Sequence, residues 1–202
     1  MLLGSLGFAA VSVAGFAVWA FAGKWLYAHV GEGGLYLTCA LVFIASSGLA
    51  LHPLVRGPGS LMRFYKIFLP AFGAYAVAWS AAWFVLRFGL GEWLGSLAGS
   101  VLLALMIGRG LGNCRSLVKV CVVMFALQSA GYFGGGRLMA WLMNPAHGAF
   151  LGGHGFALAK LSWGLLYGLG TGAGLGYAFF TFQNEPARTA KTSNANNFSS
   201  AS

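Results

Sequence analysis

Residues 3–22 of this chain, LGSLGFAAVSVAGFAVWAFA, carry no charged side chain, and runs of similar apolar character recur at 34–51, 67–86, 93–108, 117–133 and 163–180. An α-helix rises about 1.5 Å per residue, so roughly twenty apolar residues match the hydrocarbon thickness of a bilayer. A spanning β-barrel would instead need alternating segments of about ten residues, and these runs are continuous. The expected fold is therefore all-α: a polytopic membrane bundle of about six transmembrane helices.

Composition agrees. Charged residues make up 7% of the chain, against about a quarter in soluble domains, so the chain cannot clothe a water-facing surface. Twelve Lys and Arg face three acids, for a net charge of +9. The basic residues sit between apolar runs, which points to topology and anionic headgroups rather than nucleic acid. No Asp occurs, and the acids are Glu32, Glu92 and Glu185. A carboxylate-held two-metal centre and a proton-coupling carboxylate at mid-depth are both disfavoured. Cys39, Cys114 and Cys121 form no CxxC pair and read as buried small hydrophobes. No cofactor is expected.

Residues 1–182 read as the membrane domain and 183–202, QNEPARTAKTSNANNFSSAS, as a disordered polar tail. The first run lacks a preceding Lys or Arg, so we expect a retained helix rather than a cleaved signal. Lys24–Gly33 is expected as a short loop. Pro70 falls in the first turn of the third run, and Glu92 in the first turn of the fourth. Residues 134–159 begin GGG and continue through Asn144-Pro145. They are too apolar for a wet loop and too broken for a span, and read as an interfacial or re-entrant segment between the fifth and sixth helices. With the N-terminus inside, the inner side holds Arg56, Arg63, Lys66, Arg109, Arg115, Lys119, Arg188 and Lys191. The outer side then holds Lys24, Arg87, Arg137 and Lys160. The positive-inside rule puts both termini in the cytoplasm, and the expected location is a bacterial inner (plasma) membrane.

Three candidate features follow, and two further patterns are set aside. Gly164, Gly168, Gly172 and Gly176 recur every four residues in WGLLYGLGTGAGLGYAFF, with Gly170 and Gly174 offset by two. In lipid this is a small-xxx-small packing face; the alternative is a glycine-lined path. His29, Glu32, His147 and His154 fall on the outer side, where they are candidate divalent-metal ligands or pH-sensing groups. The bland alternative is loop residues meeting water. Gln128 and Ser129 lie well inside the fifth run, as an interhelical contact or the lining of a polar path. Ser96, Ser100, Ser129 and Ser162 have no histidine on a spanning helix to activate them, and GLGTGA at 168–173 lacks the preceding strand of a dinucleotide site.

The expected function is non-enzymatic permeation or transport of a small solute. An accessory or assembly subunit, docking through the last helix to a copy of itself or to another membrane subunit, is the alternative. A membrane-embedded enzyme is third.

Overall fold

The structure is a computed structural model and describes residues 1–184. Among these there is no strand. The chain runs through α1 (Leu2–Ala17), a π-helical turn (Val18–Ala22), α2 (Gly23–Leu51) and a 3-10 turn (His52–Leu54). Then come α3 (Ser60–Leu86), α4 (Phe88–Gly110), α5 (Leu117–Met143), the short α6 (Pro145–Gly148), a 3-10 turn (Ala149–His154) and α7 (Gly155–Asn184). Four stretches are long and apolar enough to cross a membrane: Leu2–Leu54, Ser60–Leu86, Gly89–Gly110 and Leu117–Met143. Large apolar side chains such as Leu2, Val77, Val85 and Val118 lie open on the outside, which suits a lipid-facing surface and not water.

Several helices overrun their apolar cores. Lys24–Gly33 is helical rather than a loop, apart from Gly31 (φ 71°). That single left-handed residue, cheap only for glycine, folds Leu2–Leu54 back on itself. A methyl on Gly7 would meet Leu51 and one on Gly15 would meet Phe43, so the two arms run antiparallel. Pro70 lies in the interior of α3, not its first turn, because the helix starts at Ser60. Gly134–Gly136 are inside α5, which continues to Met143. The break expected over 134–159 is thus confined to Asn144–His154, with Gly152 (φ 56°) as its bend. Gln183 and Asn184, assigned to the tail, are the last residues of α7. Residues 185–202, with Glu185, Arg188 and Lys191, lie outside the described residues.

Antiparallel neighbours also make the other contacts. On α4, Gly91, Gly95 and Gly99 repeat every four residues and face Ala82, Trp79 and Tyr75 of α3. Arg87 (φ 48°) alone links these two helices. Helix α7 lies between α1 and α5 and touches both along its length.

Candidate functional site

The glycines of α7 divide by face. A methyl on Gly164 would press into the Phe16 ring, one on Gly168 would lie 2.6 Å from the Ala9 Cα, and one on Gly172 would overlap the Gly4 carbonyl. Gly176 abuts Met1 and Gly4. All four therefore face α1. The offset pair faces α5, with Gly170 against Leu127 and Gly131, and Gly174 against Met124. The Ser5 hydroxyl donates to the Leu169 carbonyl at 3.0 Å, an interhelical bond that close approach permits. Both glycine faces are covered by helices of the same chain.

Polar side chains gather elsewhere. Along α4, Glu92, Ser96 and Ser100 repeat every four residues and so share one helix face. Gln128, Ser129 and Tyr132 of α5 meet them. Tyr132 Oη donates to Glu92 Oε1 at 3.3 Å. Ser96 Oγ and Ser129 Oγ are 2.8 Å apart. Ser100 Oγ donates to Gln128 Oε1 at 3.1 Å, and Gln128 Nε2 donates to Tyr75 Oη at 3.2 Å. Tyr75 Oη is in turn 3.1 Å from Tyr167 Oη. Gln128 is 2% exposed, and Ser96, Ser100, Ser129, Tyr75 and Tyr167 are buried with it.

This seam has a direction. Helix α4 enters at the end of the bundle where Gly31 and Arg87 turn the chain, and the polar residues occupy its first half. Beyond Ser100 the same core continues as Leu103, Ile107, Met124, Phe64, Phe68 and Phe179. The Phe64 and Phe68 rings stack at 4.9 Å, and Phe68 and Phe72 at 5.3 Å. A hydrogen-bonded half thus abuts an aromatic half. At the polar end, Trp163 Nε1 donates to the Tyr132 carbonyl at 3.0 Å, and its ring packs against Tyr132, Phe16 and Trp19. The Lys160 ammonium sits 4.1 Å from the centre of the Trp19 ring, a cation–π contact.

Chemically, the seam's buried part offers hydroxyls and one amide, with the half-buried Glu92 carboxylate at the end where α4 enters. Exchanging one neutral hydrogen bond for another at such a place changes the energy by only about 1 kcal/mol. Glu92 lies in the second turn of α4, against Tyr132 and not at the helix start as expected.

The candidate metal ligands stay apart. Gly31 breaks the helix between His29 and Glu32, so the two do not share a helix face. The His29 ring stacks on Trp25 at 4.5 Å and His147 on Trp141 at 4.8 Å, while His154 is exposed on its turn. Among the described residues no three His, Cys, Asp or Glu converge on a point. Ser162, the remaining candidate serine, donates to the Ala159 carbonyl.

Of the seam, Gln128 and Ser129 are legible as a polar site in the sequence. The partnership of Glu92 with Ser96 and Ser100 has a signal, their four-residue spacing. Tyr75, Tyr132 and Tyr167 have none, since tyrosine in an apolar run is as often a belt residue. No family model, curated protein or solved structure matches the chain.

Proposed function

We propose that this chain is an integral membrane protein of about six spans, with both ends of its helical domain on the cytoplasmic side of a bacterial inner (plasma) membrane. In this reading it lets a small solute cross without enzymatic chemistry. Two further spans beyond the four longest apolar stretches come from the fold at Gly31 and from α7, whose glycines dilute its hydropathy. The orientation draws support from charge. Arg56, Arg63, Lys66, Arg109, Arg115 and Lys119 belong to the end where Arg56 donates to Gln183 and Asn184 and where Asn113 donates to the Phe182 carbonyl. Lys24, Arg87, Arg137 and Lys160 belong to the opposite end, and the heavier basic end is the cytoplasmic one.

The observation that carries the permeation reading is the stacking of three hydrogen-bonded groups, Glu92–Tyr132, Ser96–Ser129 and Ser100–Gln128–Tyr75–Tyr167, inside an otherwise apolar bundle. Intramembrane polar groups are expensive, and packing alone is already supplied by the glycine faces. The assembly-subunit reading draws no support from α7, whose glycine rows already carry α1 and α5.

Purified protein in liposomes, challenged with inward gradients of small solutes and followed by light scattering, should admit at least one of them faster than protein-free vesicles. Equal rates for every solute would sink the reading. Orientation is tested at Cys114, exposed in the α4–α5 connection. With Cys39→Ser and Cys121→Ser in place, a membrane-impermeant maleimide should label it only after cells are permeabilised.

A further inference from the structure

We infer that the solute is small and uncharged, with a primary amide or urea group, and that Gln128 selects it by exchanging hydrogen bonds. The inference rests on the permeation reading above and narrows it to a substrate class.

The seam's buried part holds no formal charge. Ser96, Ser100, Ser129, Tyr75, Tyr167 and Gln128 satisfy one another in short neutral contacts of 2.8 to 3.2 Å. An ion brought here would lose its hydration, and these oxygens, already engaged in pairs, offer no opposite charge in return. A bare cation needs several oxygens turned on it together, and the only carbonyl among these side chains is that of Gln128. The amide also interrupts proton hopping, because it accepts at Oε1 and donates at Nε2, two different atoms, whereas a hydroxyl does both at one. Protons and metal ions are therefore poor passengers.

A primary amide or urea fits the same geometry. Gln128 uses its carbonyl toward Ser100 and its NH2 toward Tyr75. A solute carrying a carbonyl and an NH2 presents the same pair to Ser100 and Tyr75, and the complementary pair to Gln128 itself. Hydrogen bonds are thus replaced as the solute advances and none need be left unmade. Spare capacity lies alongside. The Ser12 hydroxyl is fully buried and has no hydrogen-bond partner in the structure. Phe8 and Phe16, one turn to either side of it on α1, both pack on the Tyr167 ring.

The test uses the full chain in liposomes, with urea and formamide as neutral probes, and potassium chloride and a proton gradient as charged ones. Urea and formamide should enter faster than in protein-free vesicles, with potassium and proton leak equal to those vesicles. Gln128→Leu should slow the neutral probes about tenfold, the factor carried by one buried hydrogen bond, and Ser100→Ala should slow them less. If Gln128→Leu fails to elute as the wild type does, Ser100→Ala alone decides. Potassium or proton flux above background that falls in these variants would overturn the neutral class while leaving permeation standing. Neutral flux unchanged in both variants would remove the role of Gln128. No flux of any of these probes above background would overturn the inference, while entry of another small solute from the wider panel would leave the permeation reading standing.

Discussion

Two kinds of seam hold this bundle, and they differ in what each tolerates. Along α7 the contacts with α1 and α5 are backbone against backbone, and the absence of a side chain is the fit. Between α4 and α5 the contact is side chain against side chain, through hydroxyls, an amide and a carboxylate. In lipid the apolar effect gives little reason for helices to associate, so packing and interhelical hydrogen bonds share the task. The glycine seams secure shape and leave nothing reactive. The polar seam adds little to shape and keeps hydrogen-bonding capacity in the interior. Close backbone packing and interior hydrogen-bonding capacity thereby fall to different helix pairs.

Three experiments sharpen that contrast. The largest effect is expected at Gly172→Leu, whose side chain would drive into the Gly4 carbonyl and the Phe8 side chain. We expect at least about 3 kcal/mol of destabilisation, seen as lost monodisperse elution and a lower melting temperature in detergent. Near-wild-type melting would mean that α1 and α7 do not approach as described. Next is the pair Ser96 and Ser129. A double-mutant cycle with alanine at each should return a coupling of about 0.6 kcal/mol; a coupling of zero would remove the bond between α4 and α5 at that level. The smallest effect is at Gly134→Ala. Gly134 is exposed on α5 with nothing within 4 Å of an added methyl, so alanine should be neutral or stabilise by up to about 0.5 kcal/mol. A clear loss there would argue that a second molecule covers this face.

The sequence reveals these regions unequally, for a physical reason. A glycine every four residues is a pattern within one helix, so its face can be read from Gly164 to Gly176 without knowing the neighbour. The polar seam is a pattern between helices. Gln128 and Ser129 stand out alone, but joining them to Ser96, Ser100 and Glu92 needs the register of α5 against α4, which no local spacing carries. Helix ends mislead in a similar way. Residues 24–33 and 60–66 contain charges and glycines that suggest connections between spans, and 134–159 contains glycines that suggest a broken interfacial segment. Among packed helices most of the same residues extend the rod, as Gly135 does where it meets Trp163. Pro70 is tolerated in the middle of α3 even though the ring removes one backbone hydrogen bond there.

The placement of α7 also sets an order in time. A chain made from its N-terminus produces α1 first and α5 just before α7, yet both use α7 as their main neighbour. Until residues 155–184 emerge, Gly4, Gly131 and Gly135 face lipid or a chaperone in place of their final partner. The bundle therefore closes late, around the last helix described. A nascent chain stalled before residue 155 would hold two unfinished surfaces awaiting the same piece.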